Sequence, residues 1–345
     1  MCVRRVFNLV FKINNVKRQN NLCGGAGGIV ALFCGVWLPA AAQSTAYPTK
    51  PIRLVVAYAP GGSNDIVARL IAPSIAASLG QQIIVDNRVG AGGTLGAALV
   101  AKSEPDGYTL FVSSLGTHAV GPNLYRNPGY DPITDFEPIS LLAMTPIVLV
   151  VNKTLPEVTS VKTLIAVAKA KPGYVRYASG GFGAPPHTAA AVFETMTATK
   201  MQHVPYKGGG PAIVGLHAGE AHVMFGPAAT MLAQAKSGRV YALAISRPTR
   251  LHAFPDVPTF AEAGLPEYAA NTWFGVHAPA RTSTPIIALW NKELLRAINR
   301  ADVQARFQEA DLERIGSTPQ AYDEFVRKEL AKYARVVKTT AMEAQ

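Results

Sequence analysis

The chain has 345 residues, of which 49% are hydrophobic, and its 33 basic and 22 acidic residues give a formal net charge of +11. This length predicts about two domains, and the composition is that of a globular protein with a substantial core. The basic residues form no stripe with interleaved aromatic residues, which argues against a nucleic-acid partner.

The first 42 residues differ in composition from the rest of the chain. They contain five basic residues and no acidic residue, and they end with the apolar stretch Ile29–Leu38 and the small residues Ala40–Ala42. This order is typical of a secretory signal peptide, and the apolar stretch is shorter than the ~20 residues that a membrane-spanning helix needs. We therefore predict a signal peptide over residues 1–42, cleaved after about Ala42. An uncleaved signal anchor is the alternative.

Cleavage would change both the charge and the redox chemistry of the chain. All three cysteines and five basic residues precede the cleavage site, so the remaining chain would have no cysteine and a net charge of +6. This excludes disulfides, thiolate catalysis and cysteine-ligated zinc from the mature protein. The mild positive charge fits a small anionic ligand.

After the signal, strand-like and helix-like segments alternate. The β-branched run Ile52–Ala57 predicts a strand, and the apolar stripe from Asn64 to Leu79 predicts a helix, which Pro73 is expected to kink or divide. A strand, a helix and a strand follow at Gln82–Val85, Leu95–Lys102 and Tyr108–Ser113. This βαβαβ order predicts a parallel sheet covered by helices.

A second series of elements follows the apolar run Ile139–Val151. This run is too short and too interrupted to cross a membrane, and it predicts one or two buried strands. The predicted helices of the series are 164–171, 188–195, 212–218 and 230–236, and its strands are 174–177, 202–204, 223–225 and 241–245. A strand at 273–278 and helices at 285–300, 301–310 and 319–341 end the chain.

The last helices are too few to form a domain alone, so we expect them to pack on the first series. This predicts a discontinuous domain I, residues 43–143 and 267–345, with domain II, residues 144–266, inserted in it. The chain would cross between the domains near 143–146 and 266–272, and two crossings make a hinge. The predicted fold class is α/β, with two Rossmann-like domains and a ligand cleft between them.

One sequence motif, Tyr-Ala-x-Gly-Gly, occurs twice, as Tyr-Ala-Pro-Gly-Gly at 58–62 and as Tyr-Ala-Ser-Gly-Gly at 177–181. Each copy lies between a predicted strand and a predicted helix, so it leaves free backbone N–H groups at the helix start, where anions bind. The two copies predict two jaws that close on one anionic ligand. The predicted contacts are Gly61, Gly62 and Ser63 in the first jaw and Gly180, Gly181, Gly183, Ala184 and His187 in the second.

Several of these positions have a second interpretation. His187 could instead hydrogen-bond a neighbouring loop. Asp65, in the first helical turn, is expected to support the first jaw, because its carboxylate would repel an anion. Further candidates follow the third predicted strand, at the sheet edge that lines ligand crevices in open parallel sheets, although an ordinary polar turn is the alternative. They are Ser114, Gly116, Thr117 and His118.

The sequence offers no convincing cofactor or catalytic motif. The glycine-rich segment 90–96 imitates a dinucleotide fingerprint, but the following strand lacks the acidic residue expected at its end. His217 and His222 are five residues apart, which separates them on a helix, so no metal site is predicted. There is no Gly-x-Ser-x-Gly elbow and no cysteine after the signal to act as a nucleophile. We therefore predict a binding protein without cofactor or metal, not an enzyme.

A series of short motifs in one order covers residues 47–341. The motifs are Tyr47-Pro-Thr-Lys-Pro-Ile-Arg53, Pro60-Gly-Gly-Ser-Asn-Asp65, Val85-Asp-Asn-Arg-Val-Gly-Ala-Gly-Gly93, Pro105-Asp-Gly-Tyr108, His203-Val-Pro-Tyr-Lys-Gly-Gly-Gly210, Pro255-Asp-Val-Pro-Thr259 and Ser317-Thr-Pro319. With them the chain resembles the extracytoplasmic solute receptors of tripartite tricarboxylate transporters, the Bug (TctC-like) family.

The resemblance implies the two-lobed type II periplasmic-binding-protein fold and a ligand carboxylate held in the cleft largely by backbone amides and bridging waters, without catalysis. It adds Pro60 and Tyr206 to the predicted ligand contacts. Gly226, a further predicted contact, stands where the family usually carries Asp, which weakens the case for an amino-acid ligand. Dicarboxylates, tricarboxylates and aromatic acids stay open.

The resulting hypothesis is a monomeric periplasmic receptor that captures a small organic carboxylate and delivers it to the membrane permease subunits of a tripartite tricarboxylate-type transporter. An accessory protein that presents the ligand to a signalling receptor would have the same fold. An exported α/β hydrolase is a further alternative, but it would need a nucleophile–base pair or a metal cluster in the cleft.

Overall fold

The computed structural model of the protein describes residues 47–251, 254–268, 270–340 and Met342. The signal peptide predicted over residues 1–42 lies outside the described residues. Within the described part of the chain, no helix is long and apolar enough to cross a membrane.

The first lobe alternates strands and helices as predicted. Its strands are β1 (Ile52–Val56), β2 (Ile83–Asn87) and β3 (Thr109–Ser114), and its helices are α1 (Ser63–Leu79), α2 (Thr94–Ala101) and α3 (Gly121–Leu124). Of the two effects expected of Pro73, a kink or a division, division of the first helix is wrong, since α1 runs through Pro73 over 17 residues. Proline removes one helical hydrogen bond, but Val67, Ile71 and Ile75 are fully buried in the core on one face of α1, and this packing holds the helix together.

One long strand, β4 (Phe136–Asn152), leads from the first lobe into the second. The second lobe contains strands β5 (Arg176–Ser179), β6 (Gln202–Pro205), β7 (Val223–Pro227) and β8 (Val240–Ile245), and helices α4 (Val161–Ala170), α5 (Pro185–Thr197), α6 (Gly209–Ala218) and α7 (Ala228–Lys236). Strand β9 (Asn271–Pro279) follows, and then α8 (Thr284–Ile298), α9 (Ala301–Glu309), β10 (Glu313–Arg314) and α10 (Pro319–Thr339).

The strands join in the order β2-β1-β3-β9-β4-β7-β5-β6, with β8 and β10 paired to β4. Pairing is parallel within β2-β1-β3 and within β7-β5-β6, but antiparallel wherever β4 or β9 takes part. The predicted all-parallel sheets are therefore corrected to mixed ones. Strand β4 leaves the first lobe and β9 runs back along it, so the two have opposite directions.

Strands β4 and β9 run side by side as far as the pair Pro146 and Asn271, and from Ile147 onward β4 pairs with β7 instead. The core of the first lobe lies between β1, β3, β9 and helices α1, α8 and α9. Two further apolar clusters cover the two faces of the second sheet. The carboxyl ends of β1, β3, β5 and β7 thus approach one another beside the β4–β9 pair.

Candidate ligand-binding cleft

Four helices begin at one cavity of about 40 Å³, called the cleft below. It is lined by Tyr58, Gly62, Ser63, Asn64, Gly180, Ala184, Pro185, Pro186, Gly209, Met224, Pro227, Thr230, Thr272 and Phe274. No lining residue carries a charged side chain, while helices α1, α5, α6 and α7 all point their first residues at it. Helix starts carry partial positive charge, so the cleft favours an anion without any basic side chain.

The start of α1 supplies free amide donors in a buried position. Gly62 precedes the helix with extended backbone angles, φ −80° and ψ 165°, and no side chain caps the helix. The amides of Ser63, Asn64 and Asp65 have no hydrogen-bond partner among the described residues, although all three residues are buried. Buried N–H groups without an acceptor are costly. An anion in the cleft would supply the missing acceptor.

The carboxylate of Asp65 is turned back onto the loop before α1. It accepts hydrogen bonds from the Gly61 amide at 3.0 Å, the Arg69 guanidinium at 2.9 Å and the Asn87 amide group at 3.0 Å. Burial alone would raise the pKa of Asp65, but these hydrogen bonds and the Arg69 charge outweigh it and hold the pKa below its ordinary value. Asp65 therefore supports the loop, as predicted.

The helix that follows the second copy of the Tyr-Ala-x-Gly-Gly motif does not begin with free amides as α1 does. Helix α5 begins with Pro185 and Pro186, which have no N–H group. The next amide, of His187, donates to the Ala184 carbonyl at 2.9 Å, and the Ala184 amide donates to the Gly181 carbonyl at 3.2 Å. The start of α5 thus has no free amide to offer a ligand, but the amide of Gly180, which lines the cleft, has no partner among the described residues.

Helices α6 and α7 replace α5 as sources of donors on the second lobe. Gly209, the first residue of α6, lines the cleft, and so do Pro227, just before α7, and Thr230. The amides of Gly209, Ala228 and Ala229 have no partner among the described residues. Helix α7 follows β7 directly and α6 follows β6 after three residues, and this strand-to-helix order is the sequence signal that could have identified both starts.

Four of the predicted contacts line the cleft: Gly62, Ser63, Gly180 and Ala184. Pro60, Gly61, Gly181 and Gly183 belong to the same two loops but lie outside its lining. Tyr58, Asn64, Thr272 and Phe274 line it and were not predicted. The two strand residues among them, Thr272 and Phe274, belong to β9, which gives no motif and reaches the cleft only through its pairing with β3 and β4.

Ser114 ends β3, and Gly116, Thr117 and His118 lie in the short π-helix Gly116–Val120 that follows it. The hydroxyl of Thr117 is used locally, since it accepts from the Ser114 amide at 3.0 Å and lies 3.1 Å from His118 Nδ1. His118 is fully buried, with its ring stacked on His277 at 4.2 Å, and burial lowers its pKa to about 3. The side chains of Thr117 and His118 therefore serve the core. Gly116 packs under the Tyr58 hydroxyl, which a Cβ atom there would approach to 2.3 Å.

Tyr206 and Gly226, which were also predicted as ligand contacts, do not line the cleft. The hydroxyl of Tyr206 donates to Glu220 at 2.7 Å, and burial together with this carboxylate raises the pKa of Tyr206 to about 12. A Cβ atom at Gly226 would lie 2.6 Å from Met231 Cγ, so Met231 fills the space into which an acid at this position would extend.

The side chain of His187 lies outside the cleft and holds the second loop. Its Nδ1 accepts from the Gly183 amide at 3.0 Å, and its ring stacks on His203 at 4.3 Å. These contacts favour the loop-supporting interpretation of His187. Burial lowers the pKa of His187 to about 4 and that of His203 to about 3, so both rings are neutral at pH 7.

The two lobes contact each other through glycines. A Cβ atom at Gly92 would lie only 1.9 Å from the Phe182 carbonyl oxygen, and one at Gly208 would lie 2.7 Å from the Ala59 amide nitrogen. The Tyr125 hydroxyl donates to the Phe182 carbonyl at 3.1 Å across the same contact. Side chains at Gly92 and Gly208 would hold the loops apart and open the cleft.

Comparison with known proteins identifies the family. The profile of the "Tripartite tricarboxylate transporter family receptor" matches residues 67–342 of the chain. The chain belongs to this receptor family. Protein BugT of Bordetella pertussis is 38% identical over 314 residues, which cover 91% of this chain and 95% of BugT. The family predicted from the sequence is thereby confirmed.

Solved structures of family members share the fold. The periplasmic binding protein BugD superimposes with a TM-score of 0.83 at 31% identity and covers 87% of this chain and 100% of its own. R. palustris Rpa4515 with adipate gives 0.82 at 35% identity, covering 85% and 98%. MatC (Rpa3494) from Rhodopseudomonas palustris with bound malate gives 0.81 at 33%, covering 84% and 100%. The predicted two-lobed periplasmic-binding-protein fold is confirmed.

Proposed function

We propose that the protein is a periplasmic receptor that binds a small dicarboxylate in the cleft and delivers it to the permease of a tripartite tricarboxylate-type transporter. The buried, uncapped start of α1 carries this proposal, because its amides of Ser63 and Asn64 are oriented donors that lack an acceptor. The R. palustris relatives with bound adipate and malate support the dicarboxylate class.

The charge of the cleft supports dicarboxylates over two other classes of ligand. No basic side chain lines the cleft to balance the third charge of a tricarboxylate. No acidic side chain lines it to receive the ammonium group of an amino acid, and Met231 occupies the space beside Gly226. Neutral donors and helix starts are suited to one carboxylate at each end of a short ligand.

We further propose that the division into domain I, residues 43–143 and 267–345, and domain II, residues 144–266, describes two bodies that move about the β4–β9 pair. The change of β4 pairing after Pro146 supports a hinge there. Binding would close the lobes over the ligand, exclude water and strengthen each amide–carboxylate hydrogen bond. We expect a monomer, which light scattering of the purified protein will test.

The hydrolase alternative rests on one geometric feature, the 2.6 Å distance between Ser179 Oγ and His203 Nε2. Ser179 is fully buried, accepts from the Gly181 amide at 3.0 Å and lies 3.1 Å from the Gly181 carbonyl. His203 Nδ1 has no acidic partner among the described residues. A catalytic base needs such an orienting group and a reachable nucleophile, so this pair is better explained as loop support.

The test removes one amide donor without disturbing the helix. Ser63→Pro places proline at the first position of α1, where its ring is tolerated and where it removes one of the free amides, that of Ser63. Ser63→Ala controls for the hydroxyl, and Ala301→Pro makes the same change at the exposed first position of α9. A lost hydrogen bond to a charged group costs about 1.5–3 kcal/mol, or roughly 10–100-fold in Kd.

Isothermal titration calorimetry with adipate, malate, citrate and aspartate will show binding of the dicarboxylates by the wild type, with weakened binding by S63P alone. Equal affinity in S63P and S63A would refute the amide site, and conversion of any bound acid to a product would refute the receptor function. Loss of uptake of the bound acid on deletion of the permease genes would distinguish transport from presentation to a signalling receptor.

A further inference from the structure

The floor of the cleft contains buried hydroxyl groups that have no protein partner. Thr272 lines the cleft, is fully buried, and its Oγ1 has no hydrogen-bond partner among the described residues. Thr145 lies directly opposite Thr272 in the β4–β9 pairing, and its Oγ1 is also buried and without a partner. Directly opposite residues of an antiparallel pair extend to the same face, so both hydroxyls are on the cleft side.

A third hydroxyl lies on this face. Ser114 is opposite Phe274 in the β3–β9 pairing, and Phe274 and Thr272 alternate along β9 to the same side. The Ser114 hydroxyl is buried and interacts with the hydroxyl of Tyr58, which belongs to the cleft lining. The neighbouring Ser113 faces the other way, where its hydroxyl lies 2.8 Å from both Tyr322 Oη and His277 Nδ1. The hydroxyl of Ser113 on the α10 side of the sheet is thus paired, whereas the hydroxyls of Thr145 and Thr272 on the cleft side are not.

Position in the fold adds a second argument. Thr145 and Thr272 are the last polar pair before β4 leaves β9 at Pro146 and pairs with β7 from Ile147. A ligand group bound to both hydroxyls would therefore bridge the two strands that connect the lobes. Phe274 and Met224, which also line the cleft, offer apolar surface for the alkyl part of the ligand.

We infer that Thr272 and Thr145 form a subsite for the second polar group of the ligand, a carboxylate that their hydroxyls recognise by donating hydrogen bonds at the hinge strands. This inference rests on the proposed function, since it assumes that the first carboxylate occupies the start of α1. With this subsite, strands β4 and β9 distinguish a dicarboxylate from the monocarboxylate of the same length.

The experiment compares acids that differ only in the second carboxylate. Calorimetry measures the Kd of adipate against hexanoate and of succinate against butyrate for the wild type, Thr272→Val and Thr145→Val. Valine keeps the shape of threonine and removes the hydroxyl. Thr282→Val is the matched control, because Thr282 is also buried but its hydroxyl donates to the Pro279 carbonyl at 2.7 Å.

We expect T272V to weaken binding of the better dicarboxylate about tenfold, or about 1.4 kcal/mol, with the monocarboxylate unchanged. Thr272→Ser, which keeps the hydroxyl, should restore most of the affinity. The ligand-free Tm of T272V should equal or exceed that of the wild type, because the variant removes a buried hydroxyl without a partner. A structural role for Thr272 would lower this Tm instead.

Each remaining outcome refutes a stated part of the reasoning. Equal weakening of dicarboxylate and monocarboxylate by T272V would overturn the subsite, since Thr272 would then act on the first carboxylate or on the shape of the cleft. Unchanged binding in both T272V and T145V would also overturn it, while wild-type binding leaves the receptor function intact. No wild-type binding of any acid would refute the receptor function and the subsite with it.

Discussion

The contact between Gly92 and the Phe182 carbonyl gives a direct test of lobe closure. Gly92→Ala would place Cβ 1.9 Å from this oxygen, whereas ordinary contact begins at 3.4 Å, so the loops must separate by about 1.5 Å. The Tyr125–Phe182 hydrogen bond of 3.1 Å cannot survive such a shift. Its loss costs about 1 kcal/mol, and the amides across the cleft lose contact with the ligand as well.

Gly80→Ala separates this effect from backbone strain. Gly80 has φ 64° and ψ 19°, nearly the same left-handed conformation as Gly92 with φ 62° and ψ 15°, but nothing lies within 4 Å of an added Cβ. Alanine at either position costs roughly 1–2 kcal/mol of folding free energy, because L-residues avoid this region. The free energy of unfolding should therefore fall by a similar amount in both variants, and only G92A should interfere with closure of the lobes.

Titration calorimetry with adipate or malate provides the measurement, and circular dichroism gives the Tm of each variant. We expect the Kd of G92A to rise by at least about tenfold, or 1.4 kcal/mol, with that of G80A close to the wild type. If G92A and G80A bind with the same affinity, the Gly92 contact plays no part in holding the ligand, and the closure argument fails.

Three further predictions concern stability. Asp65→Asn should destabilise the protein by about 1–3 kcal/mol at pH 7. In this variant Tm should also decrease less steeply than in the wild type as the pH falls below about 4. The reason is that a carboxyl with a lowered folded pKa loses its contribution as pH falls through that pKa, and an unchanged acid slope would contradict this. Stability should also fall from pH 6.5 toward pH 4, because the unfolded chain takes up protons that the half-buried His203, with its pKa lowered from 6.5 to about 3, does not. His203→Gln should make this decline shallower in thermal melts, and an identical decline would exclude His203 as a source. Gly226→Asp should cost about 1–3 kcal/mol in urea unfolding through overpacking against Met231, and adding Met231→Ala should recover part of that cost; strictly additive losses would show that the two residues do not share space.

The alternation of elements could be predicted from the sequence because it depends on local patterns. The β-branched run at 52–57 and the stripe that begins at Asn64 are confirmed almost to the residue as β1 and α1. The antiparallel course of β9 could not be predicted in this way. It depends on which strands it joins, and its partners β3 and β4 are far away in sequence. Local apolar runs contain no information on strand direction.

The cleft was predictable only where it is built from backbone at a strand-to-helix turn. Ser63 follows a strand and a glycine turn and begins a helix, so its free amide could be inferred from order alone. Ser113 and Ser114 show the limit, because one faces Tyr322 and the other the cleft side, and this depends on register. Thr272 gave no local signal at all, since its role comes from the strand opposite it.

The two copies of the Tyr-Ala-x-Gly-Gly motif have different structural roles although their sequences differ at only one position. In the first copy, glycine precedes α1 and leaves the amides of Ser63 and Asn64 free for an anion. After the second copy, the helix begins with Pro185 and Pro186, which have no N–H group. Gly180 in this copy instead allows the Gly208 backbone to approach, since a Cβ at Gly180 would lie 3.2 Å from Gly208 C. Glycine thus leads into the free amides of α1 in one lobe and leaves space for close approach in the other. Substitution by alanine should therefore act differently: at Gly62 it leaves the backbone φ of −80° accessible and the amides in place, whereas at Gly180 it tightens the loop packing that positions α6.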